Sequence, residues 1–191
     1  MVNIVLFGKP GAGKGTQAEL LKKRYQLTHI STGDLFRKNI KNKTALGVEA
    51  KEYIDKGELV PDELTIRILE DQVNKHLDSN GFLFDGFPRT IPQATALEAF
   101  LTTKSWSITA TIGLEADDEI LIKRLIERGK TSGRADDQDE SNIRNRYEQY
   151  NKKTAPLIDF YKKKELYYGI NGIGTIDEVT QRMTEVIEEV V

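Results

Sequence analysis

Gly8-Lys9-Pro10-Gly11-Ala12-Gly13-Lys14-Gly15-Thr16 is a glycine-rich loop between an apolar run and an amphipathic one. Its spacing is G-x-x-x-x-G-K, and its neighbours supply the context that such a loop needs. Before it, Val2-Asn3-Ile4-Val5-Leu6-Phe7 is a short apolar run of β-branched and large residues, which reads as a buried strand. After it, Gly15 to Tyr25 reads as a helix, with Ala18, Leu20 and Leu21 on one side and Lys22, Lys23 and Arg24 in the last turn, where cations suit the helix dipole. Between the two, glycines let the backbone turn successive N–H groups towards phosphate oxygens. The helix N-terminus adds positive potential, and Lys14 reaches the terminal phosphates. Gly15 departs from the general pattern, since Ser or Thr normally stands there to ligate magnesium; Thr16 is the nearest hydroxyl.

Further short apolar runs at Thr28 to Ile30, Gly81 to Phe84, Ile108 to Leu114 and Leu166 to Ile170 are separated by helical patterning. Strands alternating with helices imply a parallel sheet with right-handed crossovers. The expected fold is α/β, a phosphate-loop three-layer sandwich with a five-stranded parallel sheet and helices on both faces. A length of 191 residues suits a single core domain, 1–191, with two insertions. With no cysteine there is no disulfide, and His29 and His76 alone offer no cluster for zinc. Lys+Arg 28 against Asp+Glu 30 gives a net charge of -2, so no global basic field is available for nucleic acid. A mean hydropathy of -0.48 and apolar runs of only a few residues predict a soluble, cytoplasmic chain without a membrane span; a monomer is expected.

Two segments fit the sandwich poorly. From Ser31 to Pro61 the chain is helical but charged, with Lys38, Lys41, Lys43, Lys51 and Lys56 and few large apolar residues to anchor it. From Arg128 to Glu140 no apolar residue is larger than Ala, so that string reads as an exposed, mobile loop. The helix after it carries Ile143, Tyr147, Tyr150, Leu157, Ile158 and Tyr161 at three-to-four spacing, with Pro156 placed to bend or split it. Tyr147 and Tyr150 are expected to pack this helix on the core, Trp106 to mark where a strand begins, and both histidines to be structural or exposed. Asp85 ends the Phe82-Leu83-Phe84-Asp85 strand, the edge where a parallel sheet puts its ligands. Alone such an Asp is more often a cap; beside a phosphate loop it becomes a candidate to hold Mg2+, directly or through water.

Five motifs in order, GKPGAGKGTQ, HISTGDLFR, ELVPDEL, DGFPRT with Gln93, and GKTSGRADD, make the whole chain resemble an adenylate kinase of the short-lid form, within the nucleoside monophosphate kinases. The resemblance implies MgATP + AMP ⇌ 2 ADP, a direct phosphoryl transfer with ATP, AMP and ADP as partners and Mg2+ as cofactor. Such a reaction depends on positioning and electrostatics, hence on cations. The matching cations are Lys14, Arg37, Arg89, Arg124, Arg128, Arg134 and Arg146; six of them, all but Arg37, are the implied catalytic set. The resemblance puts the ATP phosphates on Gly11, Ala12, Gly13, Lys14, Gly15 and Thr16, with Arg128 reaching them and the Gly174 backbone facing adenine. It gives AMP to Thr32, Arg37, Glu58, Leu59, Val60, Gly86, Phe87, Pro88, Arg89, Gln93, Arg134 and Arg146. Residues 31–60 correspond to an AMP-binding arm and 127–137 to a short lid. Asp136 and Asp137 either bond a ribose or hold the lid shut, or merely solubilise the loop. Arg144 matches no position and reads as surface charge, and Lys9 as facing away from phosphate.

Two rivals are distinguishable. A UMP/CMP kinase shares most of the motifs, but Thr32 stands where that branch typically carries Ala, and Gln93 offers the paired donor and acceptor that an adenine edge matches. A GTPase switch needs N-K-x-D, and the Asn-Lys pairs at Asn42, Asn74 and Asn151 do not continue that way.

Overall fold

Alternation within β1 (Val2–Gly8) sorts the molecule into layers. Ile4 and Leu6 point to one face of the sheet and Val5 and Phe7 to the other, and all four are essentially inaccessible. In the computed structural model, which describes residues 1–137 and 139–191, β1 is central. It pairs in parallel with β3 (Gly81–Asp85) and β4 (Ala110–Glu115), while β2 (Thr28–Ser31) and β5 (Tyr167–Asn171) form the edges, in the order β2-β3-β1-β4-β5. The five expected strands are all present, with boundaries moved by one or two residues.

The helices complete two cores. On the Ile4 side, α1 (Lys14–Tyr25), α6 (Asp118–Ser132), α7 (Glu140–Gln149) and α9 (Ile176–Val190) contribute Ala18, Leu21, Leu121, Leu125, Ile143, Tyr147, Val179, Met183 and Ile187. On the Val5 side, α4 (Asp62–Asn74), α5 (Ile91–Thr102) and α8 (Pro156–Lys162) contribute Leu69, Val73, Ala94, Leu97, Leu101, Leu157 and Tyr161. Leu20 is exposed, contrary to its expected place; the inward position of that turn goes to Gln17. Pro156 splits the α7–α8 rod as expected. It lacks an N–H and starts α8, and the residues before it form a π-helical turn (Tyr150–Thr154) in which Ala155 N reaches back to Tyr150 O at 2.8 Å. Trp106 lies just before β4, with its ring 5.9 Å from that of Phe82.

The two awkward segments differ from expectation. Residues 31–60, with α2 (Thr32–Lys41) and α3 (Ala45–Ile54), carry a small core of their own. Phe36, Ala50 and Val60 are buried against Ile68 of α4. The 128–140 string is not a loop throughout: α6 continues to Ser132 and a single 3-10 turn covers Ala135–Asp137. Asp136 and Asp137 are buried, because arginine partners replace the water that two carboxylates would otherwise require. Gln138 of that string lies outside the described residues.

Candidate active site

The carboxyl ends of β1, β3 and β2 deliver three pieces of chain to one crevice, on the side where the order of connections reverses. From β1 comes the phosphate loop. Gly11 and Gly13 have φ of 87° and 92°, the left-handed region where a side chain is strained, and a Cβ on Gly11 would lie 2.8 Å from Leu121 O. Gly13 is the N-cap of α1 and offers no side-chain acceptor, and the first turn holds no acidic residue. Ala12, Gly15 and Thr16 complete the loop, and α1 leaves the N–H groups of its first turn for an external anion. Lys14 Nζ donates to Gly8 O at 2.7 Å and Lys9 O at 3.2 Å, poised over the loop. Burial pulls its pKa down to about 8; Asp85 opposes this, and Arg89, Arg146 and Arg128 reinforce it. Lys9 points away and pairs with Asp118 at 2.6 Å. Tyr147 donates its hydroxyl to Pro10 O at 2.9 Å, tying α7 to the loop.

From β3 come Asp85, Gly86, Phe87, Pro88 and Arg89. Gly86 has φ 74°, and a Cβ there would meet Arg89 Nη2 at 2.8 Å and Thr32 Oγ1 at 3.2 Å. This glycine therefore lets the two strand ends close up. Its carbonyl accepts from Thr32 Oγ1 and from Arg89 Nε, both at 2.8 Å. Burial, then Arg146, pulls the Arg89 guanidinium down to about 10, so it stays charged at neutral pH. Gln93 accepts from Arg89 N and donates to Asp62, each at 2.8 Å. These two bonds fix the amide's orientation and leave one hydrogen and one lone pair free, the pair an adenine edge requires.

A cavity of about 1030 Å³, mouth included, joins these pieces. Lys14, Thr32, Arg37, Glu58, Leu59, Val60, Gly86, Pro88, Arg89, Gln93 and Arg146 line it. Phe87 lies buried behind Pro88. Opposite, Asp137 accepts from Arg128 Nε and Nη2 at 2.6 and 3.0 Å and from Arg146 Nη1 at 2.6 Å; Asp136 lies 3.0 Å from Arg146. Burial alone would raise the Asp137 carboxyl; the Arg128 hydrogen bonds and the Arg146 charge outweigh it and hold it below the usual carboxylate range. Arg134 approaches Asp34 of α2, itself paired with Arg37, at 3.8 Å, so the 127–137 and 31–60 segments meet over the cavity. Arg124 stands outside, exposed on α6 one turn before Arg128, and Gly174 lies on the exposed loop between β5 and α9. Arg144 is exposed and paired with Glu140.

Several residues of this site gave no warning in the sequence. Asp62, at the start of α4, accepts from both Thr90 and Gln93. Tyr150 lines the cavity with Gln149 and Thr154, where packing on the core was expected. The buried His29 side chain stands between Glu19 at 3.1 Å and Asp85 at 3.5 Å. Burial lowers its pKa, but the two carboxylates outweigh burial and raise it. Asp85, where burial opposes ionisation, is held below the usual range by His29 and Lys14. Among the described residues no three His, Cys, Asp or Glu side chains converge on a common point, so the protein forms no metal cage by itself. Asp85 is nevertheless an ionised oxygen donor whose Oδ2 lies 4.0 Å from where a Gly15 Cβ would be, beside the loop position that ligates magnesium in other phosphate loops. That suits an ion taking its remaining ligands from phosphate and water.

Comparison with known proteins agrees with this geometry. The family described as "Adenylate kinase" matches residues 6–166. Similar relatives include the adenylate kinases of Flavobacterium psychrophilum, 66% identical over 98% of both chains, and Flavobacterium johnsoniae, 65% identical over 98% of this chain and 99% of its own. That of Bacteroides thetaiotaomicron is 49% identical over 99% of this chain and 100% of its own. A family match over residues 6–166, together with relatives of this identity over nearly the full length, establishes that the chain belongs to the adenylate kinase family.

Proposed function

We propose that the chain passes the terminal phosphoryl group of ATP directly to AMP, giving two ADP, inside the cavity between the phosphate loop and Gln93. The observation that carries this reading is that Lys14, Arg89 and Arg146 line one cavity together with Gly8 and Pro10 of the phosphate loop and with Thr32 and Gln93. The loop suits the phosphates of a donor, and Thr32 with Gln93 the base of an acceptor. The attacking atom is an AMP phosphate oxygen, ionised at neutral pH, so no general base is required. The chain's work is alignment and charge: Lys14, Arg89 and Arg146 receive the charge that develops on the moving group, Arg128 and Arg134 add to it from the lid, and Arg124 from α6 one turn before Arg128. Asp85 and the loop around Thr16 would hold Mg2+, which, when bound with ATP, would offset the charge of its phosphates.

Residues 31–60 act as an AMP-binding arm through Thr32, Arg37 and the Glu58–Val60 backbone, facing Gly86 to Arg89 at the end of β3, and 127–137 as a lid that excludes water from the transfer. We read the chain as a cytoplasmic monomer whose partners are ATP, AMP and ADP; its net charge of -2 offers no global basic field for nucleic acid. No helix among the described residues is long and apolar enough to cross a membrane.

Titration calorimetry with two adenosines joined through five phosphates tests the reading. Linking two occupied sites removes one association cost, so the analogue should bind at least a hundredfold more tightly than ATP or AMP alone. Affinity no better than that of ATP would mean that one cavity does not hold both nucleotides.

A further inference from the structure

One buried side chain ties the phosphate loop to the opposite wall of the donor site. Gln17 follows Lys14 by three residues and is only 4% exposed, and its own N–H donates to Gly13 O at 3.1 Å, so its backbone belongs to the turn that receives phosphate. Its amide points away from that turn and is used at both ends. Nε2 donates to Ile176 O at 3.0 Å, and Oε1 shares the Thr180 hydroxyl hydrogen with Ile176 O, each oxygen 2.8 Å from Thr180 Oγ1. Ile176 is the first residue of α9, directly after the Gly174 loop. That loop is held on its other sides as well: Arg182 donates to Asn171 O and Ile173 O, Gly172 N to Glu115 O, and Thr175 with Glu178 closes a capping box. The loop is thus held on several sides, and the buried Gln17 amide links the start of α9 to the phosphate turn. Burying an amide this fully is costly unless both ends are bonded, and an apolar residue of the same shape would serve packing alone.

We infer that Gln17 is a positioning residue for the donor nucleotide: it spaces the base-binding Gly174 loop from the phosphate loop so that adenine and triphosphate are engaged together. The inference rests on the reading that the donor base lies against the Gly174 loop. Nothing in it bears on AMP, whose site is built from other elements.

The test compares ATP with inorganic tripolyphosphate, which has the phosphates and no base, by titration calorimetry on the full chain, with KM for AMP measured alongside. Gln17→Met keeps the volume and loses both bonds; Gln17→Glu keeps an acceptor for Thr180 and sets a carboxylate against the Ile176 carbonyl. Each should weaken ATP roughly tenfold, the loss of one or two such bonds, while tripolyphosphate affinity and KM for AMP change less than about twofold. Unchanged tripolyphosphate binding also reports an intact fold, so a general destabilisation cannot imitate the result. Equal weakening of ATP and tripolyphosphate, or of neither, would overturn the inference. Gly174→Ala, whose added Cβ would meet Glu178 Oε2 at 2.6 Å, disturbs the loop itself. If it weakens ATP alone and the Gln17 variants do not, the base site stands and the role of Gln17 falls. If neither discriminates, the donor base does not lie on this loop and the reading beneath the inference fails with it.

Discussion

Replacing Asp137 by Asn should destabilise the nucleotide-free protein while leaving the liganded one much less affected. The carboxylate has no exposed surface and accepts three short bonds, two from Arg128 and one from Arg146. Removing one partner of a buried ion pair costs about 3–5 kcal/mol. Arg128 is 36% exposed, so water recovers part of that, and the Asn oxygen keeps one acceptor; we expect a loss of about 2–3 kcal/mol. For a chain of this size that lowers Tm by roughly 5–10 °C. Thermal unfolding by circular dichroism should show this gap without ligand, and saturating five-phosphate analogue should close more than half of it, since its phosphates supply the missing negative charge. The pH dependence follows from the direction of the Asp137 shift. A carboxyl held below its unfolded pKa of about 3.9 stabilises fully above that value and loses the effect as pH falls through the folded one. The gap should therefore be constant from pH 7 to 5 and narrow only below about 4. An unchanged Tm without ligand, or a gap that already narrows between pH 7 and 5, would refute the assignment of Asp137 as the charge that holds Arg128 and Arg146.

The same electrostatics predict other outcomes. Lys14→Ala should keep the fold and lose at least about two orders of magnitude in kcat, measured by coupled assay, because one charge-assisted contact to the moving group is worth several kcal/mol in a water-poor site. With Lys14 at about 8 in the free protein, bound phosphates should raise it, so calorimetry at pH 8 in buffers of different ionisation heats should show uptake of roughly half a proton, and at pH 6 almost none. Arg89→Ala should raise KM for AMP at least tenfold with a smaller change for ATP; equal weakening of both would contradict its place beside Thr32 and Gln93. Hydrogen exchange should slow in residues 31–60 and 127–137 when the five-phosphate analogue saturates the protein, and unchanged protection in both would remove them as arm and lid.

Some of this could be read directly from the chain and some could not, for physical reasons. The strands and the phosphate loop were legible because their causes are local: an apolar run, a glycine spacing, a following helix. The burial of Asp136 and Asp137 was not, because two adjacent acids among Gly, Ser and Arg look solvated until Arg146, nine residues on, turns back along α7 to meet them. The small core of the 31–60 segment escaped for a similar reason, since Phe36, Ala50 and Val60 are far apart in sequence and need Ile68 from outside the segment to close it. Asp62, His29 and Gln17 act through partners separated by many residues, and no local pattern marks such a contact. Leu20 illustrates the reverse: an apolar residue at a plausible helical spacing that the α9 packing leaves outside.

A cavity that joins a phosphate-loop donor to an adenine-reading acceptor pocket must discriminate between acceptor bases. Following nucleoside diphosphate formation from ATP with AMP, UMP and CMP in parallel tests it most directly. The kcat/KM for AMP should lie at least about a hundredfold above those for UMP and CMP, because Gln93, locked by Asp62 and Arg89, would leave buried groups unpaired against a pyrimidine. Use of UMP or CMP at comparable or greater efficiency would contradict it.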